Sequence, residues 1–181
     1  MRARPFLILP VLLPLLSGCY LMSNMFSKPA PPPCMRLSVL RDAAQITRQS
    51  NPNDPKTVSL HADLTSYQGS CSYDDKTKVM TMQFQVGIDA TRGPAANASG
   101  RDVVAYFVSM PAYFPMPAAK KIYNMGFSFP QGSNTTHVVD KPVSVSIRVP
   151  DLGDLTQYEI YIGFQLNQAE LDANRKTPVQ P

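Results

Sequence analysis

The stretch that decides the fold is residues 78–90, which read KVMTMQFQVGIDA. From Met80 to Ala90 every second residue is apolar, and the residues between them are mostly polar. A period of two is that of a β-strand with one buried and one solvated face. The segment therefore predicts a half-buried strand, and the same alternation returns at residues 143–149 and 158–166.

Further short strands and turns lie on both sides of this stretch. The other segments with strand character are residues 35–40, 57–67, 70–73, 103–109 and 121–129. Residues 74–77, which read DDKT, favour a tight hairpin because Asp tolerates turn geometry and can bond its own backbone. Seven or eight short strands without alternating helices predict an all-β fold, an antiparallel β-sandwich that is immunoglobulin-like in general architecture.

A helix is predicted at the C-terminal end of this sandwich. Asn167 can cap a helix over residues 168–175, and Glu170 stands three residues later, as in a capping box. Residues 42–47 are compatible with one further turn of helix. The prediction is thus a sandwich with a short C-terminal helix.

The N-terminus has the features of a signal peptide. Arg2 and Arg4 precede an apolar segment at residues 6–16, and the tetrapeptide LSGC follows at residues 16–19. This pattern resembles the lipobox of bacterial lipoproteins, in which a type II signal peptide is removed and the cysteine is acylated. By that resemblance residues 1–18 are cleaved off and Cys19 is the lipid attachment site.

An uncleaved membrane span is the alternative interpretation of this apolar segment. A spanning helix needs roughly 20 apolar residues. The segment is shorter and contains Pro10 and Pro14, which disturb a helix. Its length therefore favours the cleaved, lipidated form.

The mature chain divides into a linker and one domain. Residues 19–33 comprise the lipidated cysteine and a Pro-rich linker, whose proline run extends at roughly 3.1 Å per residue. Residues 34–181 form the predicted β-sandwich domain with its helix.

The lipobox implies a bacterial cell-envelope protein that is anchored to the membrane through Cys19 and faces the periplasm. Tyr20 and Leu21, without an aspartate, favour the outer membrane over the inner by analogy with lipoprotein sorting.

Three internal segments extend this resemblance beyond the N-terminus. Residues 40–44 read LRDAA, residues 90–95 read ATRGPA and residues 163–166 read GFQL. Together with the lipobox they resemble uncharacterised proteobacterial envelope lipoproteins, over most of the mature domain. The resemblance implies an envelope location and a β fold, and it brings no activity, cofactor or catalytic residue.

Charge and cysteines narrow the partners and the compartment. Lys and Arg outnumber Asp and Glu by 17 to 13, and by 15 to 13 once Arg2 and Arg4 are removed. Such a weak, scattered positive charge argues against nucleic acid as a partner.

With Cys19 lipidated, Cys34 and Cys71 are predicted to form one disulfide in an oxidising compartment, with a stabilisation of roughly 4 kcal/mol. The alternative, a reactive or metal-binding thiol pair, lacks the Cys-x-x-Cys spacing and a nearby histidine.

The two histidines are the first candidates for catalysis or metal binding. His61 could have Asp63, Ser66 or Ser70 close by, but it alternates with apolar residues in a predicted strand, which favours an outward polar residue. His137 is predicted to lie in a loop. Two histidines without a third ligand at a recognisable spacing argue against a zinc site. We therefore predict no catalytic residue, no metal and no cofactor.

One loop is unusual in composition. Residues 110–117 read MPAYFPMP, which is aromatic and methionine-rich where a loop is ordinarily polar. An exposed apolar loop stiffened by proline suits docking, so Tyr113, Phe114 and Met116 are predicted to bind a partner. The alternative is that Tyr113 and Phe114 fold back and close one end of the sandwich.

These observations favour a protein that acts by binding. The predicted function is a non-enzymatic, lipid-anchored accessory or scaffold subunit of an envelope complex, whose partners are the membrane and an unidentified envelope protein. The alternative is a periplasmic small-ligand carrier, or an enzyme with an unrecognised site. A deep pocket that converges on His61, or on several buried polar groups, would favour that alternative.

Overall fold

A computed structural model describes residues 33–111 and 119–176, all within one compact unit, Pro32–Pro181. The described residues form nine strands, one α-helix and three short 3-10 helices. In chain order the strands and the α-helix are β1 (Arg36–Val39), β2 (Gln45–Gln49), β3 (Val58–Asp74), β4 (Val79–Arg92), β5 (Arg101–Met110), β6 (Ala119–Ser128), β7 (Thr135–Val139), β8 (Val143–Arg148), β9 (Glu159–Phe164) and α1 (Gln168–Lys176). The 3-10 helices are Arg41–Ala43, Pro55–Thr57 and Leu152–Gln157.

The strands form two sheets that pack face to face. The four-stranded sheet has the order β1-β9-β5-β6, and the five-stranded sheet has the order β2-β3-β4-β7, with β8 also paired to β4. β4 is long enough to pair with β8 along residues 79–84 and with β7 along residues 87–91. The predicted all-β sandwich with a short C-terminal helix is confirmed.

One pair of strands departs from the antiparallel prediction. β1 runs parallel to β9, with Leu37 opposite Ile160, and Ser38 Oγ donates a hydrogen bond to Glu159 Oε1 at 2.6 Å. Parallel and antiparallel strands share a side-chain period of two, so the alternation in the sequence carries no information on strand direction. The remaining strand pairs are antiparallel among the described residues.

The core lies between the inner faces of the two sheets. The even-numbered apolar residues of 80–90 are all buried, as their alternation predicts. The other sheet contributes the inward residues of β5, β6 and β9. The largest fully buried side chains are Tyr106, Phe84, Phe164, Leu60, Met80, Ile88, Met125, Ile160 and Ile162.

A partly buried hydrogen bond links the two sheets. The Tyr106 hydroxyl, from β5, donates to Asp140 Oδ2 at 2.7 Å in the connection between β7 and β8. The ring of Tyr106 also stacks on Tyr123, with centroids 5.4 Å apart. Burial, followed by the hydrogen bond to Asp140, raises the pKa of Tyr106 well above its ordinary value.

Several boundaries differ from the predictions. The predicted strands 57–67 and 70–73 form one strand, β3, which begins at Val58 and continues through a register shift between Leu64 and Ser66. The sequence predicted two strands because residues 65–70 are exposed on both faces and interrupt the apolar alternation. Of the helical turn predicted at residues 42–47, only the part within the 3-10 helix Arg41–Ala43 is helical. The rest was wrong, because residues from Gln45 onward belong to strand β2, which buries Ile46.

The helix and the hairpin form where they were predicted. Asn167 Oδ1 accepts a hydrogen bond from the Glu170 amide at 2.9 Å, and Glu170 Oε2 accepts one from the Asn167 amide at 2.8 Å. This is the reciprocal capping box. Asp74 Oδ1 accepts from the Lys76 amide at 2.9 Å in the β3–β4 turn.

The predicted disulfide is also confirmed. Cys34 and Cys71 are bonded, with their Cα atoms 5.5 Å apart and a separation of 37 positions in sequence. The bond joins Cys34, two residues before β1, to Cys71 in the second half of β3. Within the described part of the chain, no helix has the length and apolar character that crossing a membrane requires.

Candidate functional site

The helix α1 divides the surface beside it into two clefts. Asn174, which is buried, fixes the helix because its Nδ2 donates to the backbone oxygens of Asp42 and Gln45, both at 2.9 Å. Arg175 Nε adds a hydrogen bond to Asp42 Oδ2 at 3.1 Å. The helix is therefore attached by polar contacts, and its two sides remain open to solvent.

The first cleft, which we call the helix cleft, lies between α1, the 3-10 helix Arg41–Ala43 and the outer face of the four-stranded sheet. Its volume is about 530 Å³. Apolar side chains form most of its wall, and charged side chains surround them. The lining residues are Leu40, Arg41, Asp42, Ala43, Phe107, Lys120, Phe164, Gln165, Leu166, Leu171 and Arg175.

Gly163 explains why the floor of the helix cleft can form. A Cβ at this position would lie 2.7 Å from the Cβ of Ala43 and 3.0 Å from Cζ of Phe107. The absence of a side chain thus lets the 3-10 helix and the Phe107 ring approach strand β9. Any larger residue would push one of these two walls away.

The rim of the helix cleft is positively charged. Asp42 pairs with Arg175 at 3.1 Å and with Arg41 at 3.8 Å. Lys120 Nζ lies 4.5 Å from the centroid of the Phe107 ring, and no carboxylate among the described residues pairs with it. Three cations face one carboxylate, so the cleft attracts anions.

Gln165 places an unpartnered polar atom in the wall of this cleft. Its side-chain Oε1 is buried and accepts no hydrogen bond from the described residues. A buried acceptor without a donor costs free energy, and such groups are few in native proteins. A donor from outside the chain would relieve that cost.

The second cleft, which we call the polar cleft, lies on the other side of α1 and reaches His61. Its volume is about 380 Å³. Amide, hydroxyl and carboxyl groups dominate its wall. The lining residues are Gln45, Thr47, Gln49, Pro52, His61, Asn167, Ala169, Glu170, Ala173 and Asn174.

His61 points outward from β3, as predicted, between the fully buried Leu60 and Ala62. Its Nδ1 lies 2.8 Å from Thr47 Oγ1, and its Nε2 lies 3.1 Å from Asp63 Oδ2. A hydroxyl, an imidazole and a carboxylate in this order can act as nucleophile, base and orienting group. Here the imidazole and the carboxylate are partly exposed on an open sheet surface. The Thr47 contact is that of a cross-strand pair, and Asp63 is the next outward residue along β3.

His137 lies on strand β7, so its predicted place in a loop was wrong. Its Nδ1 is 2.6 Å from Asp89 Oδ1 on β4. Asp89 is opposite Asp63 in the register, so the two His–Asp pairs share the outer face of the five-stranded sheet. Across residues 33–111 and 119–176, no three His, Cys, Asp or Glu residues come together as a metal-binding group.

The outer face of β5 and β6 is a third surface of interest, which we call the β5–β6 face. Phe107 lies opposite Ile122, and Val103 lies opposite Gly126. Val103 and Ile122 are 50% and 51% exposed. The outward residues are Arg101, Val103, Ala105, Phe107 and Ser109 on β5, and Lys120, Ile122, Asn124, Gly126 and Ser128 on β6. These described positions include no acidic residue, and the face adjoins the helix cleft through Phe107 and Lys120.

Four of the residues predicted to have a role fall outside the described part of the chain. They are the lipidation site Cys19 and the docking residues Tyr113, Phe114 and Met116. Those assignments remain predictions. The sequence analysis did not find the helix cleft, although two of the segments it quoted, residues 40–44 and 163–166, meet there.

Comparison with known proteins yields no match to this chain from family models, from curated proteins or from solved structures.

Proposed function

We propose that this chain is a lipid-anchored protein of the bacterial cell envelope that acts by binding, as an accessory or scaffold subunit of an envelope complex. The sequence LSGC at residues 16–19 supports lipidation of Cys19. The Cys34–Cys71 disulfide supports an oxidising compartment such as the periplasm. The proposed location is the outer membrane, with the domain facing the periplasm.

The β5–β6 face is the observation on which the binding role depends. Outward positions of a sandwich sheet are ordinarily polar, whereas here Val103, Phe107 and Ile122 lie on one surface without a carboxylate. Apolar surface bordered by polar groups is typical of protein interaction sites. The basic residues at its two ends, Arg101 and Lys120, favour a partner with acidic groups around an apolar centre.

The docking proposal is tested with Ile122→Ser, and Val139→Ser is the matched control. Both residues are 51% exposed, but Val139 lies on β7 in the other sheet. Full-length tagged chain is purified from detergent-solubilised membranes, and co-purified proteins are quantified by mass spectrometry. We expect Ile122→Ser to reduce recovery of the partner about fivefold or more, because interface anchors contribute over about 1 kcal/mol. Equal recovery with both variants would refute docking through this face.

Lipidation is tested separately with Cys19→Ala. The substitution removes the acylated thiol, so the variant should accumulate as an uncleaved or non-lipidated form in membrane fractionation and detergent phase separation. A variant that matures to the same size and stays membrane-bound would show that the lipoprotein assignment is wrong.

A second function, carriage of a small ligand, has its own support. The helix cleft combines an apolar wall with a few polar groups, and its volume of about 530 Å³ is in the range of small-molecule sites. This function does not exclude docking through the β5–β6 face. The two are separable because Gln165 and Leu171 line only the cleft, while Val103 lies only on the face.

A further inference from the structure

We propose that the helix cleft binds a single-chain anionic amphiphile: an apolar chain with a carboxylate or phosphate at one end and a hydroxyl or amide N–H next to it. The inference rests on the carrier function and names its ligand class. Three independent features of the cleft support the three parts of this ligand.

The apolar wall accounts for the chain. Phe107 from β5 and Leu171 from α1 line one space, while the Phe164 ring lies in the core behind it. Leu40, at its edge, is 39% exposed, which is high for a large apolar side chain. The apolar surface continues from Phe107 to its cross-strand neighbour Ile122, so a chain longer than the cleft keeps apolar contact beyond its mouth. An elongated ligand fits this shape better than a compact one.

The rim accounts for the anionic group. Arg41 and Arg175 share the single carboxylate of Asp42, and Lys120 faces only the Phe107 ring. Lys120 is therefore a cation at the mouth whose charge is not neutralised by a described side chain. A carboxylate or phosphate near Lys120 and Arg175 would make charge-assisted hydrogen bonds.

Gln165 accounts for the donor. Its Oε1 is buried in the wall and accepts no hydrogen bond from the described chain. A small rotation of the Gln165 amide would turn this oxygen to the cleft, where a hydroxyl or amide N–H on the ligand, close to the charged end, would supply the missing donor. A simple fatty acid or alkyl phosphate has no such group, so the orphan acceptor discriminates between anionic amphiphiles.

The experiment uses the full-length protein in its membrane and a photoreactive probe. The probe is lysophosphatidic acid with a diazirine in its acyl chain, which has a phosphate and a free hydroxyl. After irradiation, the labelled peptides are mapped by mass spectrometry. We expect label on residues 40–43 and 164–171, removed by excess 1-lauroyl lysophosphatidic acid and much less by uncharged monolauroylglycerol.

Matched variants test the charge and the donor. Lys120→Gln should reduce labelling about three- to fivefold, which is the effect of one rim charge. Lys121→Gln, the adjacent lysine whose Nζ lies over Tyr123, should not change it. In the wild type, lysophosphatidic acid should compete about fivefold better than dodecyl phosphate, which lacks the hydroxyl, and Gln165→Met should bring that ratio close to one.

The outcomes separate the ligand class from the carrier function. Cleft labelling that monolauroylglycerol removes equally well would refute the anionic class and leave a carrier of neutral amphiphiles. Label spread over the surface, unaffected by Lys120→Gln, would show partitioning into the membrane and overturn both. N-lauroylglycine, which has a carboxylate and an amide N–H, distinguishes a phosphate ligand from a carboxylate ligand in the same assay.

Discussion

Tyr106 shows what one residue does for the sandwich. Residues 103–108 are all apolar, so the sequence predicts a strand here without showing on which face Tyr106 lies. Its partner Asp140 could not be predicted, since it lies in the connection between two later strands and is 34 positions away. The structure thus adds a polar link between the sheets to a core that the sequence describes only as apolar.

The raised pKa of Tyr106 predicts a loss of stability in alkali. The unfolded tyrosine ionises near pH 10, whereas the buried one keeps its proton to higher pH. Above about pH 10 the unfolded state therefore binds fewer protons than the folded state. The free energy of unfolding keeps its full contribution from Tyr106 below that pH and loses about 1.4 kcal/mol per pH unit above it. Urea unfolding of wild type and Tyr106→Phe between about pH 9 and about pH 11 measures the difference.

Comparing wild type with Tyr106→Phe at each pH cancels the effect of the other titrating groups, because all of them are present in both proteins. Below pH 10 the variant should be less stable by about 1.5 kcal/mol, the lower end for a hydrogen bond to a charged group, since Asp140 is only half-buried. Above that pH the two curves should converge. Parallel curves across the whole range would contradict the linkage.

At the level of elements, pattern strength decided what could be predicted. The strands with one strongly buried face, such as β4 and β9, are evident in the sequence. β7 was missed because its residues are only alternately half-buried and exposed, and the exposed stretch of β3 hid its continuity. The start of α1 followed from its capping box, which is a local interaction.

The attachment of α1 predicts that this element can open separately. Asn174→Ala removes the donor of two hydrogen bonds and leaves the carbonyls of Asp42 and Gln45 unpaired, at a cost of about 1–3 kcal/mol. We expect hydrogen exchange of α1 to accelerate strongly while β4 and β5 keep their protection. Asp172→Ala, which affects only the contact with Gln168 on the helix surface, is the control. Equal acceleration in β4 would show that the helix does not open alone.

At the level of the whole molecule, the two sheets were predictable and the clefts were not. Alternation, turns and cysteine count are properties of short segments, and they define a sandwich closed by one disulfide. The helix cleft combines residues 40–43, Phe107, Lys120, residues 164–166 and α1, which come together only after folding. The sequence pattern of each segment predicted only its own strand, loop or helix. No single segment therefore carries a signal for the cleft that lies between them.

The Cys34–Cys71 bond also has a mechanical consequence. Cys34 lies two residues before β1, so a pull on the preceding chain passes through the sulfur atoms to β3, which is paired with β4 along residues 60–74. β1 is thereby spared from being peeled off β9. In single-molecule stretching, the loop that the bond closes, with its ends 37 positions apart, cannot extend until the bond is reduced, and reduction should lengthen the unravelled chain by roughly 120 Å. A domain cross-linked in this way yields first to tension from its C-terminal side.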